Sequence, residues 1–201
     1  MNDADNSSAR RQRRRQRRRV AIAGFVVFAI GMAWFFELQA TTTVIVVRYA
    51  DKVELGGSDP GLSMQGQRRA EDLARLIANV DVVAGVDAIF VAPNRRSRDT
   101  ALPLAMRNEA PVHTIEDPAD VKALVKRILS EFKGKIVLVV TEPEYMQSLI
   151  REMHGSKKLP PSEEAGYENL YIVTIPWFGK VKTLRLHYGA MDFVPTPLIS
   201  Q

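Results

Sequence analysis

Four side chains with chemical potential stand just past apolar runs of the chain. Arg48 follows Thr41–Val47, and Tyr49 follows Arg48. Arg96 lies five residues beyond the run Asp87–Val91, and Glu142 comes just after Ile136–Val140. A guanidinium holds oxyanions through paired hydrogen bonds. A phenol, with an ordinary pKa near 10, attacks only if a base takes its proton, and a carboxylate is such a base. Taken alone, Arg48 and Arg96 read as ordinary strand-end or helix-start arginines, solvated or paired with Glu142 or Asp51. Asp51 and Lys52 read as surface-loop residues. His113, His154 and His187 are widely spaced and fit no metal-ligand pattern. The absence of cysteine excludes disulfides and thiolate metal sites. We expect no metal and no cofactor.

The elements that would position these residues follow from periodicity. Thr41–Val47, Asp87–Val91 and Ile136–Val140 are short, apolar and β-branched, as buried strands are. Val112–Ile115 is a short strand candidate. Ser63 is a plausible N-cap, and Ala70, Leu73, Ala74 and Ile77 then recur at helical spacing. Arg95–Met106 reads as a helix that Pro103 disturbs or ends. Asp117-Pro118 reads as a cap with proline at the first helical position. Val121, Leu124, Val125, Ile128, Leu129 and Phe132 keep the helical period up to Gly134. Glu144–Met153 is a further helix. Asn169–Pro176 and Lys180–His187 form a hairpin pair around Trp177-Phe178-Gly179. Val53–Gly61 and Gly155–Gly166 read as loops. Strands alternating with helices predict an α/β three-layer sandwich with a mixed, mostly parallel central sheet and antiparallel strands at its C-terminal end.

Charge separates this domain from what precedes it. Eight of the 28 basic and three of the 23 acidic residues fall within residues 1–40, leaving twenty of each in residues 41–201. The domain is formally neutral, and nothing in it argues for nucleic-acid binding. Eight arginines between Arg10 and Arg19 abut seventeen residues, Val20–Phe36, without a charge or strong polar group. That run is at the lower limit for a bilayer-spanning helix. Trp34, Phe35 and Phe36 sit at its far end, where aromatic side chains favour the lipid–water interface. We therefore expect three segments: a disordered basic tail over 1–19, a transmembrane anchor over 20–37, and the domain over 41–201. Basic clusters stay cytoplasmic, which puts the domain across the membrane as a single-pass extracytoplasmic part, periplasmic in a Gram-negative cell. Leu38-Gln39-Ala40 is a poor cleavage site, which favours a retained anchor over a cleaved signal. The bilayer is thus one expected partner.

Four segments now line up in order: Val47-Arg48-Tyr49-Ala50-Asp51-Lys52; Asp59-Pro60-Gly61-Leu62-Ser63-Met64-Gln65-Gly66 with Arg69-Ala70 and Leu73-Ala74; Ala92-Pro93-Asn94-Arg95-Arg96 with Thr100-Ala101; and Val137-Leu138-Val139-Val140-Thr141-Glu142-Pro143. Together they resemble the histidine phosphatase (phosphoglycerate mutase-like) superfamily in its compact form, over roughly residues 43–150. The resemblance implies phosphoryl transfer through a phosphohistidine, with two arginines and two histidines around the phosphate. It assigns Arg48 and Arg96 to the two arginines. It also puts Tyr49 at the nucleophile position, Glu142 at the second histidine and Ala92 at a usual serine.

Those replacements bear on chemistry. Two arginines stabilise a phosphate dianion, but a carboxylate among them repels it and offers them an internal partner. Unit charges about 4 Å apart interact by roughly 4 kcal/mol at an effective dielectric of about 20. Tyr49 would fill the pocket that an imidazole leaves. The expected function is a catalytically inactive, membrane-anchored pseudophosphatase that binds or scaffolds outside the cytoplasm, its protein partner unidentified. Two alternatives stand beside it. One is a phosphatase in which Tyr49 or water attacks and Glu142 is the acid or base. The other is a sensor for a phosphorylated or otherwise anionic ligand that uses Arg48 and Arg96 without turnover.

Overall fold

The computed structural model describes residues 3–37, 41–53, 57–79, 85–156 and 166–188. The chain divides into two units, Met1–Ala40 and Thr41–Gln201. The first contains helix α1, Asp3–Glu37. Within it, Gln16–Phe35 is long and apolar enough to cross a membrane, with a mean hydropathy of 1.6 over an 18-residue window. Twenty residues at 1.5 Å each rise about 30 Å, the thickness of a hydrocarbon core. Phe25, Phe28, Ile30 and Trp34 are all exposed on this helix. The disorder expected over residues 1–19 is corrected here: the backbone is helical from Asp3 onward. Arginine and glutamine are good helix formers, and a helix elongates easily from a nucleated neighbour.

The second unit is built on one six-stranded sheet. Its strands are β1 (Thr42–Arg48), β2 (Ala88–Val91), β3 (Val112–Thr114), β4 (Ile136–Thr141), β5 (Asn169–Ile175) and β6 (Lys182–His187), in the order β3-β2-β4-β1-β5-β6. The pairs β3–β2, β2–β4 and β4–β1 are parallel, whereas β5 is antiparallel to both β1 and β6. Side chains alternate across a strand, so each face of the sheet builds its own core. Val44, Val46, Phe90, Val137 and Val139 pack against α4 (Val121–Glu131) and α5 (Pro143–Glu152). Val47, Ile89, Val91, Leu138 and Val140 pack on the other face against α2 (Met64–Asn79) and α3 (Arg95–Asn108). Burying each large aliphatic side chain stabilises by about 1.5–3 kcal/mol. Helices on both faces of a mixed, mostly parallel sheet make the expected three-layer sandwich.

Local signals act mostly as read. Ser63 Oγ accepts from Gly66 N–H (3.0 Å) at the start of α2, and Ala70, Leu73, Ala74 and Ile77 are the buried face of that helix. Two boundaries differ. α3 runs through Pro103 to Asn108. An interior proline costs about 3 kcal/mol, and burial of Ala101 and Leu104 against the sheet offsets it. Asp117-Pro118 does not open α4. Asp117 closes a turn by accepting from Ala119 N–H (2.9 Å), and Asp120 is the N-cap, accepting from Ala123 N–H (3.0 Å). Starting there aims Leu124, Val125 and Ile128 at the sheet. Parts of the two expected loops, residues 54–56 and 157–165, lie outside the described residues.

Candidate functional site

The parallel strands deliver their last residues to one end of the sheet. Arg48 pairs in register with Thr141, and Val91 with Val140, so Tyr49, Ala92 and Glu142 emerge side by side. Helix α3 begins a few residues past β2. Its N-cap, Asn94, accepts from Ser97 N–H through Oδ1 (2.8 Å), which sets Arg96 in the first turn. The loop after β1 is tied down on both sides. Ala50 N–H donates to Thr100 Oγ1 (2.9 Å) in the interior, and Ser63 N–H donates to Asp51 O (2.9 Å). Gly66 is required at this crossing, because a Cβ there would overlap the Asp51 carbonyl.

The arginines meet aromatic rings. Tyr49 is 8% exposed and belongs to the core under α2 and α3. The Arg96 guanidinium carbon lies 3.8 Å from the Tyr49 ring centroid. Arg48 lies 3.9 Å from the centroid of Tyr167 and 5.8 Å from that of Tyr49. Both short distances are well inside the cation–π range, and partly desolvated contacts of this kind contribute about 1–2 kcal/mol. Next to them Asp51 and Arg69 form an ion pair (2.7 Å) with side chains only 18% and 15% exposed. Asp51 is therefore not a free surface-loop residue. Tyr188 closes this side: burial pushes its phenol above the ordinary range, against the lowering effect of nearby Arg69.

Glu142 behaves differently from the expectation of a salt bridge to the arginines. Its Oε1 accepts from Asn94 Nδ2 (2.8 Å), and among the described residues it makes no ion pair. Glu142 is also the N-cap residue of α5 but does not cap that helix with its side chain. The physical reason lies in the neighbouring loop, where the amide of Asn94 presents a donor to the carboxylate while Arg96 lies over the Tyr49 ring. Asp59 supplies a second carboxylate here, accepting from Arg95 N–H (2.9 and 3.1 Å) at the positive end of α3. Glu142 Oε2 and Arg96 Nε are buried without a hydrogen bond among the described residues.

The structure thus brings Arg48, Tyr49 and Arg96 into one cluster and links Glu142 to it through Asn94. Reasoning from sequence passed over Tyr167, Tyr188 and the pairing roles of Asn94 and Arg69. An asparagine three residues before Ser97 is a readable capping signal. Tyr167 had no local signal, because only the fold brings it to Arg48. His113, which stacks on Phe90 (5.1 Å between centroids), packs edge-on to Phe132 and lies away from the cluster.

A mixed, mostly parallel sheet with helices on both faces is the fold that this chain shares with solved histidine phosphatases. Residues 48–121 match the family "Histidine phosphatase superfamily (branch 1)". Solved structures agree on the fold. The protein histidine phosphatase SixA complexed with tungstate is 17% identical, with a TM-score of 0.59 over 72% of this chain and 96% of its own. A mycobacterial glucosyl-3-phosphoglycerate phosphatase with inorganic phosphate is 15% identical, with a TM-score of 0.53 over 74% and 97%. Bacillus stearothermophilus YhfR is 16% identical, with a TM-score of 0.52 over 66% and 90%. No curated protein sequence matches the chain significantly.

Proposed function

We propose that this protein is a membrane-anchored histidine-phosphatase-like protein that does not turn over phosphate esters and acts by binding or scaffolding outside the cytoplasm. The observation that carries this reading is the buried Tyr49 ring with the Arg96 guanidinium lying 3.8 Å above it. On the resemblance, Tyr49 holds the nucleophile position and Arg96 that of a phosphate-binding arginine. The stack sets the guanidinium against a phenol ring at that position, where no imidazole is present to take up a phosphoryl group. A phenol attacks poorly near neutral pH without a base, and Glu142, the carboxylate at the second-histidine position, is engaged by Asn94. The Asp59 carboxylate at the start of α3 adds like charge against an incoming anion.

One observation favours the sensor reading. Arg96 Nε is buried without a hydrogen bond among the described residues, and an oxyanion would satisfy it.

Turnover of an aryl phosphate by the purified protein, compared with an Arg48→Ala, Arg96→Ala variant, tests the central claim. We expect equal rates. Turnover well above that variant and lost in Tyr49→Phe would establish tyrosine chemistry instead. Turnover kept in Tyr49→Phe but lost in Glu142→Gln would point to attack by water. The side of the membrane is a separate part of the proposal, supported by the arginine tract Arg10–Arg19 directly before the apolar run Val20–Phe36. A reporter active only outside the cytoplasm, fused after Gln201, should be active. Activity of a cytoplasm-only reporter at that place would reverse the orientation.

A further inference from the structure

The opposite end of the sheet carries side chains that the proposed function does not use. The β5–β6 turn presents Trp177 at 55% and Phe178 at 87% exposure, with exposed Lys180 and Lys182 beside them. Pro176 opens the turn, and Gly179 takes a φ of 117° that a side chain would strain. The two rings are therefore held out by a short, shaped turn.

Register places this turn. Ile175 pairs with Thr42, the first residue of β1. The loop before β4 is fixed to the same point, since Gly134 N–H donates to Thr42 Oγ1 (2.9 Å) and Thr43 N–H to Lys135 O (3.0 Å). That loop adds Lys133 and Lys135, the latter paired with Asp87 at 3.1 Å. Helix α1 ends at Glu37, and the five steps from there to Thr42 reach at most about 18 Å when fully extended. Chain connectivity therefore keeps Thr42 within that reach of the last residue of α1, and the β5–β6 turn lies at the end of the sheet where β1 starts.

We propose that the β5–β6 turn is a lipid-docking tip, with Trp177 and Phe178 entering the bilayer interface and Lys180, Lys182 and Lys133 lying on anionic headgroups. This rests on α1 being a membrane anchor. Tryptophan favours the headgroup level, and lysines near an anionic surface contribute about 1 kcal/mol each. A second copy or another protein fits less well. Two aromatic side chains offer roughly 300–500 Å², and a stable protein interface needs about 1,200–2,000 Å². A small patch suffices against lipid, because the tether holds it at high effective concentration.

The chain has two tryptophans, Trp34 and Trp177, which makes the test direct. Full-length protein is reconstituted in phosphatidylcholine–phosphatidylglycerol vesicles as two variants. Trp34→Phe leaves Trp177 as reporter, and Trp177→Phe leaves Trp34. We expect Trp177 emission to be blue-shifted, lost to a lipid quencher near the headgroups, and spared by aqueous iodide. Adding Lys180→Glu and Lys182→Glu should reduce the lipid quenching. Quenching of Trp177 by iodide alone, while lipid quenches Trp34, would overturn the docking tip and leave the anchor standing. Trp177 shielded from both quenchers would mean that protein covers it, which also overturns the proposal. Failure of lipid to quench Trp34 would overturn the anchor itself, and the tip with it.

Discussion

The two ends of the sheet use the same residue types in opposite ways. At the carboxyl end of the parallel strands, cations cover aromatic rings: Arg96 lies on buried Tyr49 and Arg48 on Tyr167. At the amino end of β1 the rings are outside and the cations flank them, with Trp177 and Phe178 exposed between strands that end in lysine-bearing turns. Burial decides the difference. A ring packed under a guanidinium adds to the core and ties up the guanidinium face. A ring on an exposed turn stays outside the two core clusters and keeps much of its surface in contact with solvent. The first arrangement is built into the core, and the second is the one on which the proposed docking tip rests.

Three substitutions sharpen this contrast. Tyr49→Ala removes the buried ring and uncovers Arg96, so it should destabilise the domain by about 3–5 kcal/mol, read from a urea unfolding midpoint. Tyr49→Phe keeps the ring and the stack and should cost about 1 kcal/mol or less. A loss in Tyr49→Phe as large as in Tyr49→Ala would mean that the hydroxyl, not the ring, organises the cluster. At the other end, Phe178→Ser should change stability by less than about 0.5 kcal/mol. A larger effect would show that the turn belongs to the core, and the contrast between the two ends would fail.

The comparison also explains what could be read early. The apolar runs that became β1, β2 and β4 were legible because strands buried on both faces need continuous apolar sequence. The family segments were legible because each lies at a strand end or a turn. Glu142 was visible at its position, but its partner was not. A carboxylate among two arginines should pair with one of them if charge alone decides. Asn94, 48 residues away, takes it because β2 and β4 are neighbours in register and present the amide beside the carboxylate. Reading charges without strand order overestimates ion pairs for that reason.

The amino-acid sequence by itself determined the apolar segment ahead of the domain, the alternation of strands and helices, and the places of Tyr49 and Glu142 just past two of the strands. Each depends on residues close together in the chain, where periodicity, capping and composition act locally. Tertiary structure alone decided that Arg48 meets Tyr167, that Arg96 lies on Tyr49, that α3 continues through Pro103, and that Ile175, two residues before Trp177, pairs with the first residue of β1. Those contacts join residues brought together by the order β3-β2-β4-β1-β5-β6. Their energies depend on burial and orientation, which no local stretch of sequence contains.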